Sequence, residues 1–237
     1  MTLGSAMTLV FVGLSFALVA LMTYRRVFRS LPLFFTYVCF DLAAGAAALA
    51  IYDWSGASIW YWRSFLLQLV GDSLIYFCVL VEMGKNLLRF NRESRLHGKL
   101  AVLLFGAAAV TIGALASWTV APGRSLLLNI CFFGMRVNGD LQFAGFLALA
   151  GWSGLRKLRW PDRELRIATG FGFIAFVWFL ISLLHSRWST GPVYYWLYQA
   201  GEVAGSITVA YWLHAFWFES DAQTSTRDAY LAREGRS

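Results

Sequence analysis

The chain has 237 residues, 59% of them hydrophobic and only 14% charged, with a formal net charge of +7. A soluble domain carries about 25% charged residues, so this composition excludes an ordinary soluble fold. The basic surplus sits in short segments between long apolar stretches, which argues against a nucleic-acid-binding face and for orientation in a membrane.

Seven apolar spans follow in chain order, at about 4–24, 31–52, 62–84, 100–120, 126–155, 166–185 and 192–218. The first carries no charge from Gly4 to Tyr24. No basic residue precedes it, so it reads as a retained helix and not a cleaved signal peptide. Arg25, Arg26 and Arg29 follow, and Leu31-Pro32 opens the second span, proline being suited to a helix first turn. That span carries Asp41 and the small-residue run Ala43 to Ala48, which favours close helix packing. The third carries Gln68 and Asp72. At its end Glu82 and Lys85 lie three apart and are expected to pair, and the basic run Lys85, Arg89, Arg92, Arg95 and Lys99 follows. The fourth span is uncharged, and Ala121-Pro122-Gly123 turns the chain into the fifth. The fifth carries Arg136, Asn138, Asp140 and Gln142, and a further basic run begins at Arg156. Trp160-Pro161-Asp162 punctuates the entry to the sixth span, which is uncharged from Ile167 to Leu184. The seventh carries Gln199 and Glu202, the latter inside Gly201-x-x-x-Gly205. Residues 219–237 are polar and of mixed charge, and are expected to form a flexible cytoplasmic tail.

Spans of this length in lipid must satisfy their own backbone hydrogen bonds, so they are helices. The expected fold is an all-α integral membrane protein, a seven-transmembrane-helix bundle. Alternate loops are basic, while the others hold only Arg63, Arg124 and Arg187, which places the N-terminus outside and the C-terminus in the cytoplasm. A shift of 134 residues lays Trp54-Ser55 on Trp188-Ser189, Trp60-Tyr61-Trp62 on Tyr194-Tyr195-Trp196, Gln68 on Glu202 and Gly71 on Gly205. This allows a 3+1+3 parallel repeat with the fourth span as linker, although the first and fifth spans match poorly.

Polar groups at membrane depth are costly and mark function or a buried network. The candidates are Asp41, Gln68, Asp72, Arg136, Asp140, Gln199 and Glu202, with Asn138 and Gln142 at similar levels. Arg136 and Asp140 lie four apart and share a helix face. The expectation is an outward-facing polar cavity lined by Asp72, Arg136, Asp140 and Glu202, with Asp41 below it.

Other chemistries lack their residues. A retinal Schiff base needs a lysine in the last span, and Lys85, Lys99 and Lys157 all lie toward the cytoplasm. His97, His185 and His214 fall at unmatched depths, which argues against a bis-histidine haem. Ser206 and His214 are about 12 Å apart along one helix, too far for a nucleophile and its base. Cys39, Cys78 and Cys131 read as small core residues, and no zinc or P-loop spacing occurs. No metal, cofactor or catalytic residue is assigned.

Leu-Pro-Leu-Phe-Phe-Thr-Tyr at 31–37, Ile-Trp-Tyr-Trp at 59–62 and Leu-Val-Glu-Met-Gly-Lys-Asn-Leu-Leu-Arg at 80–89 resemble a group of uncharacterised seven-helix bacterial membrane proteins. The resemblance implies a bacterial inner-membrane location and brings no activity with it. The 3+1+3 layout resembles that of the small sugar and vitamin transporters, at the level of fold alone. Three function classes follow. The absence of a catalytic constellation favours a non-catalytic subunit or small sensor within a larger membrane assembly. The polar cluster favours a small-solute or proton transporter or channel. A membrane enzyme acting on lipid is the third. Expected partners are membrane lipid and other membrane subunits or further copies of the chain, with no nucleic acid.

Overall fold

The computed structural model describes residues 3–55, 59–91, 106, 126–187 and 192–234. Among them the chain is all-helical, with six long helices and no strand: α1 (Leu3–Tyr24), α2 (Pro32–Ser55), α3 (Ile59–Phe90), α4 (Leu126–Leu155), α5 (Asp162–Arg187) and α6 (Pro192–Glu234). Four of these are long and apolar enough to cross a membrane: Ala6–Tyr24 in α1, Pro32–Ile51 in α2, α3, and Asp162–Leu184 in α5. The chain thus has the build of a multi-pass membrane protein. The expected count of seven is not matched among the described residues, because the fourth expected span, 100–120, lies outside them apart from Gly106.

Local chemistry sets the helix ends. Pro32 and Asp162 begin α2 and α5, and Asp162 and Glu164 complement the positive end of α5. α5 therefore starts four residues earlier than its apolar run. α1 and α4 both run into tight turns with a basic residue in the left-handed region, Arg26 at φ 55° and Lys157 at φ 53°. Lys157 donates to the Gly154 carbonyl and Leu158 to that of Ser153, which closes the end of α4. The helix does not stop at Phe218, where the polar tail was expected to begin. Residues 221–234 contain neither glycine nor proline, so nothing in them breaks α6 before Glu234.

The helices form a closed ring in chain order: each packs on the next, and α6 closes on α1. α1 to α3 alternate in direction, as do α4 to α6. The seams differ. Ser73 bonds Asn138, Tyr76 bonds Gln142 and Asn91 bonds Arg159, so α3 and α4 run parallel. Phe11 lies at Gly205 and Arg25 donates to the Trp217 carbonyl, so α6 and α1 are parallel too.

Each of the six interfaces is closed by a glycine that leaves room for a neighbour's side chain. Gly45 of α2 faces Val12 of α1, and Gly71 of α3 faces Phe40 of α2. Gly134 of α4 faces Leu69 of α3, and Gly172 of α5 faces Phe146 of α4. Gly201 of α6 faces Trp178 of α5, and Gly205 of α6 faces Phe11 of α1. In lipid no hydrophobic force draws helices together, so such close packing supplies the attraction. The outer surface is apolar, with Phe16, Leu67, Leu74, Phe173 and Ile207 exposed.

One end of the ring is plugged. The rings of Phe34 and Phe171 meet edge to face at 5.8 Å, Trp212 lies 5.1 and 5.0 Å from them, and Tyr76 is 4.9 Å from Phe171. Leu18, Met22, Leu80 and Met83 fill the same core. Polar ties close this end beyond the plug. The Glu82 carboxylate accepts the Leu33 and Phe34 amides at 3.1 and 3.0 Å, capping α2 from α3; this replaces the expected Lys85 as its partner. Arg163 donates to Ser30, and Arg166 to the Ala215 carbonyl. The described basic segments, at 25–29 and 156–166 with Lys85 and Arg89 of α3, gather at this same end.

Candidate functional site

On the other side of the plug the ring encloses a cavity of about 420 Å³, lined by all six helices. Each helix contributes an inward stripe at helical spacing: Tyr37, Asp41, Gly45 and Ala48 from α2, Tyr61, Phe65, Gln68 and Asp72 from α3, and Tyr198, Glu202, Gly205 and Val209 from α6. Asn138 and Gln142 come from α4, Ile174 and Trp178 from α5, and Met7 and Phe11 from α1.

Asp72 is the most elaborately held group. Its Oδ2 accepts the Asn138 Nδ2 amide at 2.9 Å and the Gln142 Nε2 amide at 2.8 Å, both across the parallel α3–α4 seam. Gln142 also donates to Asn138 Oδ1 at 3.1 Å, and Ser73 donates to the same oxygen at 2.6 Å. The Tyr37 hydroxyl adds a hydrogen bond to Asp72 from α2. Three helices therefore orient one carboxylate, and the interlocked amides leave it little rotational freedom.

Glu202 receives a hydrogen bond from the Tyr198 hydroxyl, one turn earlier on α6. Asp41 lies within electrostatic range of both Asp72 and Glu202. These acids share a layer. Phe40 seats on Gly71, Asp72 bonds Asn138, Gly139 touches Trp178, and Trp178 seats on Gly201, so contacts at one level run round the ring. Asp41 is thus level with Asp72, not below it.

The structure brings Asp41, Gln68, Asp72, Gln199 and Glu202 together around the cavity, with Asn138 and Gln142. It does not bring Asp140 there. Asp140 is two residues from both Asn138 and Gln142, about 200° round the helix from each, so it is half-buried on another face of α4. Position 136 shares the Asp140 face, and the side chain of Arg136 lies outside the described residues. Sequence reasoning missed the aromatic part of the site: Tyr37, Tyr61, Phe65, Trp178, Tyr198 and Trp212. In a chain that is 17% aromatic, only their i, i+4 spacing with an acid, as in Tyr37–Asp41 and Tyr198–Glu202, could have singled them out.

No group of three His, Cys, Asp or Glu side chains among the described residues converges closely enough to hold a metal ion. The three cysteines are free; Cys131 is buried, and Cys78 faces outward rather than into the core. No protein-family model matches the chain, and neither does any curated protein or solved structure. The arrangement is a solute-sized, partly aromatic chamber at the middle of a helix ring, with a rigid hydrogen-bonded acid on its wall.

Proposed function

We propose that this is a bacterial inner-membrane protein whose central cavity binds a small polar solute and passes it across the bilayer. The observation that carries this reading is the Asp72–Asn138–Gln142–Tyr37 network facing a cavity of about 420 Å³ that all six helices line. A network whose only task was helix register would have no need of an adjoining chamber. Lining by convergent polar groups within an apolar and aromatic wall is the usual make-up of a small-molecule site.

Orientation follows from charge. The plugged end carries the basic turns and belongs to the cytoplasm, so the cavity faces the outside and α1 begins there. Parallel neighbours that follow each other in sequence call for a return crossing between them. The sequence expects one at 100–120, which makes seven crossings, N-out and C-in.

The ring also supports an internal duplication, α1–α3 with α4–α6. Moving Phe40 and Gly71 by 134 gives positions 174 and 205, which lie between the observed pairs Trp178–Gly201 and Trp212–Gly170. α1 needs a shift of 127 instead: Val12–Gly45 then falls beside Gly139–Trp178, and Phe11–Gly205 beside Asn138–Asp72. The seven-residue difference is two helical turns, taken up where α4 ends and α5 begins. The two parallel seams are then equivalent, and rocking of one half against the other about the cavity is the corresponding mode of alternating access. The polar wall is one-sided: the positions matching Asp72, Asn138 and Gln142 hold Ser206, Phe11 and Ser15.

Native mass spectrometry of protein released from lipid nanodiscs tests this. Wild type is expected to carry a small-molecule adduct that Asp72→Asn and Glu202→Gln both lose while remaining folded. An adduct that persists in both variants, or an empty cavity in a chain that co-purifies with a stable protein partner, would favour the subunit or sensor role instead.

A further inference from the structure

Three carboxylates line the cavity, Asp41, Asp72 and Glu202, and none of the described lining residues is Lys, Arg or His. Two of the three have partners: Asp72 takes two amides and a tyrosine hydroxyl, and Glu202 takes Tyr198. Asp41 is enclosed by the helices and lines the cavity, yet among the described residues no hydrogen bond reaches its carboxylate, and its charged neighbours are the other two acids. An acid so placed in a membrane ordinarily faces a counter-charge. Among the described residues the chamber holds no positive group, and it is large enough for one to arrive on a solute.

Resting on the solute-binding reading above, we propose that the ligand is an organic cation, a quaternary alkylammonium, whose charged head lies between Asp41 and Glu202. A bare metal ion fits poorly, because the acids do not converge into a coordination cage among the described residues. A quaternary ammonium needs no cage: it is weakly hydrated, spreads its charge over its carbon substituents and favours aromatic faces. Phe65, Tyr61, Trp178 and Tyr198 supply such faces on three sides of the chamber. Asp72, fixed by its amides, adds a charge that does not have to reorganise when the cation enters.

Two pairs of probes separate charge from shape. Choline is compared with 3,3-dimethylbutan-1-ol, and benzyltrimethylammonium with neopentylbenzene, each neutral compound having carbon in place of the nitrogen. Calorimetric titration of the full chain in nanodiscs is expected to show at least one cation binding about tenfold or more tighter than its isostere. Asp41→Asn is expected to weaken that cation by about tenfold or more without changing the thermal transition, and Glu202→Gln, should Asp41→Asn fold poorly, to weaken it likewise. The proposal is overturned if cation and isostere bind equally, if both variants keep full affinity, or if neither cation binds. It is overturned equally if cation addition leaves an acid that titrates with protons alone. Equal binding of the neutral isosteres leaves the solute-binding reading standing, whereas an empty cavity in mass spectrometry removes that reading itself.

Discussion

At the scale of single residues, the groups that matter lie where polar chemistry interrupts an apolar helix. Asp41, Asp72 and Glu202 are legible from sequence for that reason: an acid in a long apolar run must have something to face. Which way it faces is less legible. Asp140 shares its helix with Asn138 and Gln142, and because α4 is apolar nearly all round, no hydrophobic stripe indicates which side turns inward. Glu82 is the instructive case. Its spacing from Lys85 suggests a surface pair, yet it is 8% exposed and caps α2 from the neighbouring helix, a contact between residues 48 and 49 positions apart that no local rule reveals. Two charge-assisted bonds at a buried helix start are worth about 2–3 kcal/mol together. Glu82→Ala is therefore expected to lower the apparent Tm in detergent by several degrees, and Glu82→Gln, which keeps a carbonyl acceptor, by less. A Glu82→Ala protein that melts with wild type would show that the cap contributes nothing.

At the scale of helices, glycine rather than hydrophobicity sets the fit. The small-residue runs at 43–48 and 201–205 flag three of the six contacts from sequence alone. The others, such as Gly134 under Leu69 and Gly172 under Phe146, are single glycines whose partners lie on another helix. The test of this packing is a pair of glycines with opposite surroundings. A Cβ on Gly170 would collide with the indole edge of Trp212, which is itself wedged between Phe34 and Phe171, 5.1 and 5.0 Å away. A Cβ on Gly151 meets nothing within 4 Å. Gly170→Ala is expected to destabilise by about 1–3 kcal/mol through overpacking. Gly151→Ala is expected to be neutral or slightly stabilising, since alanine is the better helix former by about 1 kcal/mol. Equal melting of the two variants would mean that the plug is looser than its geometry implies. The end of α6 follows the same local logic in reverse: polarity after Phe218 suggests an end, but polarity does not break a helix, and 43 residues without a stop make a rod of about 65 Å.

At the scale of the whole molecule, charge and connectivity answer the same question by different routes. The basic turns alternate along the sequence, and in the structure they gather where the aromatic plug closes the ring, with Arg25, Arg163 and Arg166 tying helix ends together there. The pattern was legible because loop charge depends only on which residues fall between spans. The proposed duplication is half legible. α2 and α3 match α5 and α6 without a gap, but the two extra turns between α4 and α5 put α1 out of step with α4, and a gapless shift cannot absorb them. Both routes place the cavity on the face opposite the basic turns, which yields a topological prediction. In a chain with Cys39, Cys78 and Cys131 replaced by alanine, Trp196→Cys is expected to react with a membrane-impermeant maleimide added to intact cells, since Trp196 is 67% exposed at the cavity end. Lys85→Cys, exposed at the basic end, is expected to react only in inside-out vesicles. The reverse pattern would invert the protein and turn the cavity toward the cytoplasm. Labelling of both sites from one side would break the assignment of opposite ends altogether, and with it the parallel seams on which the proposed two-half arrangement depends.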